Sequence, residues 1–152
     1  MAKQFQRVIF VCSGNTCRSP MAAGIFNEIS SRQELGFNAQ SAGIYAGYFQ
    51  NATKEAIAVC QEHGIDISMH TSRPISIASV ESFDVAITMT QSQKEFLVSA
   101  YPSMEGKAFM ASEWAMGIVK DVDDPYGGGV KMYEDVFDEL SYYICEAISV
   151  SR

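Results

Sequence analysis

Residues 5–21 read FQRVIFVCSGNTCRSPM, and the change of character at Cys12 decides how the rest of the chain is understood. Phe5 to Val11 is a β-branched and aromatic run, the pattern of a buried strand. It ends abruptly at Cys12-Ser13-Gly14-Asn15, a stretch suited to a loop. Ser19-Pro20 then opens a helix: proline is tolerated at the first helical position, and Met21, Ile25, Phe26 and Ile29 recur at helical spacing until Gly36. The order is strand, loop, helix.

The same alternation continues outward. Phe37 to Ser41 is predicted as a second strand, Ala52 to Glu62 as a helix, Phe83 to Met89 as a strong strand and Gln91 to Ala100 as a helix. Lys107 to Met110 is a weaker strand. Met132 to Ser149 closes the chain as a long helix with Val136, Phe137, Leu140, Tyr143, Ile144 and Ile148 on one side. Strands alternating with helices imply an α/β fold: a single three-layer domain over 1–152, with about four parallel strands, helices on both faces and the Cys12 loop after the first strand. No repeat, low-complexity tract or linker divides it, and Gly127-Gly128-Gly129 is too short to do so. In such sheets ligands sit beyond the carboxyl ends of the strands, where the Cys12 loop falls.

Composition narrows the setting. The chain has 152 residues, 47% of them hydrophobic and 19% charged, as in an ordinary globular domain. No apolar run approaches the roughly 20 residues of a membrane span, and no charged-then-apolar signal segment is present, so a cytoplasmic location is expected. Four cysteines then read as reduced thiols. The net charge of -7 opposes general binding to nucleic acid or anionic membranes. Any phosphate site must be local and preorganised.

A cysteine six positions before an arginine is commonplace by itself. The context gives it meaning. Gly14 and Asn15 permit unusual backbone angles, so Ser13, Gly14, Asn15, Thr16, Cys17 and Ser19 can turn N–H groups inward as an anion nest at a helix N-terminus. Arg18 adds a planar fork for two phosphate oxygens. The same donors favour a thiolate at Cys12, the nucleophile such a site needs. Ser19 can donate a hydrogen bond to it. A general acid is still required, and the candidate is Asp124, the one aspartate of Asp121-Val122-Asp123-Asp124-Pro125 that directly precedes the proline. The expected chemistry is in-line attack by Cys12, protonation of the leaving atom by Asp124, and hydrolysis of a phosphocysteine by water. It requires no metal and no cofactor.

Val11 to Pro20 together with Asp124-Pro125-Tyr126 resembles the low-molecular-weight protein tyrosine phosphatases, and the likeness covers nearly the whole chain. Ser41-Ala42-Gly43, taken to follow the second strand, and Phe83-Asp84 to Met89 fall in the family's order. The resemblance implies nucleophile Cys12, phosphate-binding Arg18 and acid Asp124, and a polar network of Asn15, Ser19, Ser41 and His70 bracing the loop. It also implies phosphorylated proteins as substrates, with inorganic phosphate as product and inhibitor. Thr16, Tyr126 followed by Gly127, and Thr90 depart from the tyrosine-specific pattern and resemble the bacterial protein-arginine phosphatase branch. Thr16 brings a hydroxyl to the pocket wall, which favours a polar guanidinium over a phenyl ring. Tyr45 and Tyr126 are the candidate walls for a phosphotyrosine ring, so phosphotyrosine is the alternative substrate. Ala23 stands where the family commonly has glutamate. The cysteine pair by which related arsenate reductases resolve their intermediate is absent.

Blander roles compete. A structural thiol is the alternative for Cys12, and Cys17 either packs beneath the loop or forms a reversible disulfide with Cys12. Cys60 and Cys145 read as core residues. Tyr45 and Tyr48 are pocket walls or loop aromatics. His63 and His70 with the cysteines lack a metal-ligand spacing. A non-catalytic phospho-side-chain binding module remains the alternative of another class, although such a module has no use for a nucleophile and an acid.

Overall fold

The computed structural model describes residues 5–151; the outermost positions of the expected 1–152 domain lie outside them. Its centre is β1 (Arg7–Cys12), whose residues after Arg7 are all buried because parallel neighbours flank it on both sides. β2 (Asn38–Gly43) pairs with it from Arg7↔Asn38 to Cys12↔Gly43, and β3 (Val85–Thr88) from Val8↔Val85 to Val11↔Thr88. β4 (Ala108–Met110) adds to β3, giving the order β2-β1-β3-β4, parallel throughout. Ser41-Ala42-Gly43 is thus the end of the second strand, not the segment after it. This six-residue strand reads NAQSAG and carries little β-branched or aromatic signal, so pairing with β1 sets its length.

Side chains of β1 alternate between two cores, as a pleated strand requires. Val8, Phe10 and Cys12 face α1 (Arg18–Arg32), α2 (Lys54–Glu62) and α6 (Val130–Ser151); Ile9 and Val11 face α3 (Ile77–Glu81) and α4 (Gln91–Ala100). On the first side Phe5, Phe10, Phe26 and Trp114 form a tilted and edge-on aromatic cluster, with Phe5 and Trp114 centroids 5.2 Å apart. Tyr133, Val136, Phe137, Leu140, Tyr143, Ile144 and Ile148 make the buried stripe of α6. Each such fully buried side chain contributes about 1.5–3 kcal/mol. Cys60 is buried among them, and burial pushes its thiol up to about 12. Cys145 is exposed, correcting its expected core place: it lies between the buried positions Ile144 and Ala147 but off their stripe.

Two helices escape sequence periodicity because they are too short to show it. α3 has five residues and a Ser76–Ser79 capping box; α5 (Ala111–Met116) has six and ends at Gly117 with φ of 70°. The edge of β2 is closed by side chains. Asn27 donates Nδ2–H to the Ala39 carbonyl at 3.0 Å and accepts the Ala39 N–H on Oδ1 at 2.8 Å, imitating a neighbouring strand.

Candidate active site

The loop between β1 and α1 is turned inside out relative to an ordinary turn: its carbonyls point away from its centre and are satisfied from outside. Ile44 N–H donates to the Cys12 carbonyl and Tyr45 N–H to that of Ser13, both at 2.9 Å, while Thr53 N–H donates to that of Thr16 at 3.0 Å. His70 Nε2 donates to the Asn15 carbonyl at 2.7 Å, which assigns the proton to that nitrogen. With these four carbonyls so engaged, the N–H groups of the loop are left available to an anion at its centre. The first N–H groups of α1, at Arg18 and Ser19, have no intrahelical acceptor and extend the same cradle. α1 therefore begins two residues before Pro20, which sits in the first turn where a missing N–H costs nothing.

Asn15 is the knot of this arrangement. It is fully buried and holds a φ of 58°, a left-handed conformation that asparagine tolerates better than most residues. Its Nδ2 donates to Ser19 Oγ at 2.8 Å, and its Oδ1 accepts Arg73 N–H at 3.1 Å. Ser19 Oγ, which accepts from Asn15, lies 2.9 Å from Cys12 Sγ, where its hydroxyl can donate to a thiolate. Asn15 N–H reaches the same sulfur at 3.3 Å. Cys12 thus has two donors aimed at a sulfur that must become a thiolate. At Gly43 the approach of β2 to this loop is so close that a Cβ would meet the Ser13 carbonyl oxygen at 2.7 Å. Only glycine fits there.

Bracing comes from further away than the sequence reading anticipated. Ser41 joins the network through its carbonyl, which accepts from Arg73 Nε at 3.1 Å, so Arg73 links Ser41 to Asn15. Gln93 donates Nε2–H to Ser13 Oγ at 3.1 Å while its Oε1 accepts the N–H groups of Met89 and Thr90. The Thr90-to-Gln93 capping box was visible in principle as a helix start; its second use, against a loop 80 residues away, had no local signal. Burial holds His70 below the usual histidine range, with the Asn15 carbonyl opposing and Arg73 adding to the depression. Cys17 Sγ lies 3.3 Å from the Tyr133 hydroxyl, itself pushed up chiefly by burial, and 3.7 Å from Thr53 Oγ1. The thiols of Cys12 and Cys17 are both free.

A pocket of about 290 Å³ opens above Cys12, walled by Thr16, Cys17, Arg18, Gln50, Asp124 and Tyr126 over a floor that includes Gly14 and Asn15. Arg18 is 5% exposed and anchored by Nη1–H donation to the Val122 carbonyl at 2.8 Å; its Nη2 lies 3.8 Å from Asp124 Oδ2. Asp124 is 56% exposed, and its Oδ1 accepts Tyr126 N–H at 3.0 Å across Pro125. Tyr45 does not join this wall: it is 78% exposed and tilts against Phe96, with centroids 6.0 Å apart. Its backbone N–H is tied to the Ser13 carbonyl while its ring faces solvent. Tyr48 likewise lies outside the pocket, beside Phe49. Gln50, which no local sequence signal singles out, lines the pocket where Tyr45 does not. Among the described residues no group of three or more His, Cys, Asp or Glu is placed to hold a metal.

Comparison with known proteins gives concordant findings. A family model described as low molecular weight phosphotyrosine protein phosphatase matches residues 7–147. The chain is 38% identical over 133 residues to a protein-arginine-phosphatase of Bacillus subtilis (strain 168), covering 88% of each. It superposes with a TM-score of 0.92 and 35% identity on a YwlE arginine phosphatase mutant carrying a phosphorylated active-site serine, covering 96% of both chains. With a low molecular weight protein tyrosine phosphatase from T. tengcongensis the TM-score is 0.91 and the identity 41%, over 95% of this chain and 98% of that one.

Proposed function

As a member of the low molecular weight phosphotyrosine protein phosphatase family, the chain is a cysteine-based phosphatase, and we propose that it hydrolyses phosphorylated protein side chains with phosphoarginine preferred to phosphotyrosine. The observation that carries the reading is Cys12 Sγ at the base of the pocket, with Ser19 Oγ at 2.9 Å and Asn15 N–H at 3.3 Å directed at it, below Arg18 and Asp124.

Each group has one task. Inward N–H groups and Arg18 bind the phosphoryl oxygens and hold their charge as it spreads in the transition state. Cys12 Sγ attacks phosphorus in line; the S–P bond forms as the bond to the leaving atom breaks, and Asp124 gives its proton to that atom. For phosphoarginine the leaving atom is a guanidino nitrogen. Asp124, now a carboxylate, takes a proton from water attacking the phosphocysteine, which releases inorganic phosphate and restores the Cys12 thiolate with Ser19 stabilising it. The serine-phosphorylated relative supports a covalent intermediate at this position. Phosphate, bound by the same cradle, acts as a competitive inhibitor.

Similarity to a relative named as a protein-arginine-phosphatase, and the hydroxyl of Thr16 on the pocket wall, support phosphoarginine. A cytoplasmic, reducing setting belongs to the same reading, because the nucleophile works only as a free thiolate; net charge -7 disfavours nucleic acid and anionic membranes as partners.

Phosphate release from matched phosphoarginine and phosphotyrosine peptides tests the proposal. Release is expected from the native protein and lost in Cys12→Ser, and Thr16→Ile is expected to move the preference toward phosphotyrosine. Stoichiometric binding without release would instead mark a binding module, and an unchanged preference in Thr16→Ile would remove the role of Thr16.

A further inference from the structure

Most side chains around the pocket already have work. The Asn15 amide is engaged on both ends by Ser19 and Arg73. Cys12 and Arg18 serve the phosphoryl group, and Asp124 serves the proton. The polar side chains left to meet the leaving group are Thr16, Tyr126 and Gln50. Of these, Gln50 has neither a part in the expected chemistry nor a part in bracing the loop.

Its backbone is held with unusual firmness for an exposed segment. Gln50 N–H donates to Ser72 Oγ at 3.0 Å, Ser72 N–H donates to the Gln50 carbonyl at 2.8 Å, and Phe49 N–H donates to the Ser72 carbonyl at 2.9 Å. Ser72, itself buried, donates its hydroxyl to the Gly47 carbonyl at 2.7 Å, and Asn51 bridges Thr71 beside it. The Gln50 amide lies alongside Gly47, where an added Cβ would come within 3.7 Å of Nε2. Phe49 keeps a φ of 64°, a conformation rare for an aromatic residue, as part of the same turn. Gln50 therefore lines the pocket from a fixed backbone and brings a neutral amide to its edge.

The chemistry distinguishes the two candidate substrates. A phosphoarginine guanidinium carries N–H donors along its edge, and a phenyl ring carries none. A glutamine amide offers a carbonyl acceptor to the first and only a desolvation cost to the second. We propose that Gln50 is a specificity-determining residue whose amide oxygen accepts a guanidinium N–H of the substrate and so favours phosphoarginine over phosphotyrosine. The proposal rests on the phosphoarginine reading above.

Steady-state kinetics on paired peptides, identical except for the phosphorylated residue, test it in native protein, Gln50→Leu and Gln50→Glu. Gln50→Leu is expected to lower kcat/KM for phosphoarginine about tenfold, through KM, and to leave phosphotyrosine unchanged or improved. Gln50→Glu keeps an acceptor, so the preference for phosphoarginine persists even where added negative charge slows both substrates. A Gln50→Leu variant that affects both substrates equally, or neither, overturns the role of Gln50 while the native preference stands. A native protein that hydrolyses phosphotyrosine alone overturns the phosphoarginine reading, and this proposal with it.

Discussion

The loop carrying Cys12 and the loop carrying Asp124 face one another across a single pocket, yet they are held by opposite means. Around Cys12 nearly every polar group is spoken for: Asn15 alone engages Ser19, Arg73 and His70, and the end of β2 meets the loop so closely that Gly43 admits no side chain. Asp124 is more than half exposed, tied to its own loop by one bond from Tyr126 N–H and set 3.8 Å from Arg18 Nη2. An ion pair of that length and exposure adds little stability. The cradle is built before substrate arrives, whereas the acid keeps freedom to meet leaving groups of different shape. Preorganisation is placed where charge develops, and adaptability is placed where the leaving group varies.

Breaking each side should therefore fail in a different way. The largest effect is expected from Asp124→Asn, which removes the proton donor and leaves the fold intact. Turnover of a substrate with a poor leaving group should fall by about 100- to 10,000-fold, and turnover of an activated aryl phosphate far less. Thermal unfolding should be unchanged. Equal slowing of both substrates would take the acid role away from Asp124.

Asn15→Ala should do the reverse. It leaves Ser19 and the Arg73 N–H without their partner in a buried site and places alanine at positive φ. A loss of about 2–4 kcal/mol in stability is expected, read from the midpoint of denaturant unfolding. Activity toward good and poor leaving groups should fall in parallel, because the cradle serves both. A variant of native stability would show that the network orders the loop without stabilising the fold.

The same contrast explains what was legible in the chain. The strand, loop and helix around Cys12 were readable because local signals agree: a β-branched run, then Gly14 and Asn15, then a helical period from Met21. Gln91 to Ala100 was readable to the residue, and the structure adds a Thr90–Gln93 capping box at its start. The ties that brace the cradle were not. Arg73, Gln93 and Thr53 reach it from 37 to 80 residues away, and nothing local in RPIS or TQSQK points toward Cys12. Tyr45 illustrates the same limit: an aromatic near a pocket in sequence is a fair candidate wall, but its ring lies exposed against the distant Phe96. Cys145 shows the limit of reading helix positions by type, because one position off the stripe of α6 separates a core thiol from an exposed one.

The smallest expected effect sharpens the comparison from the rim of the cradle, at His70. Burial is the main cause that depresses its pKa, so the unfolded chain, near the ordinary value of about 6.5, binds the proton more readily than the folded one. Stability therefore rises with pH wherever the unfolded state holds more protons. The contribution of His70 is fully present above about pH 6.5 and is lost as the pH falls below it toward the depressed folded value. The slope from this one group cannot exceed about 1.4 kcal/mol per pH unit, and partial exposure keeps it smaller. His70→Gln retains a donor for the Asn15 carbonyl and does not titrate. Denaturant unfolding of the two proteins between pH 7 and 5 should show the native protein losing more stability than the variant across that interval. Parallel curves would mean that His70 keeps its proton affinity on folding, and that the Asn15 carbonyl bond balances burial and Arg73 at the edge of the cradle.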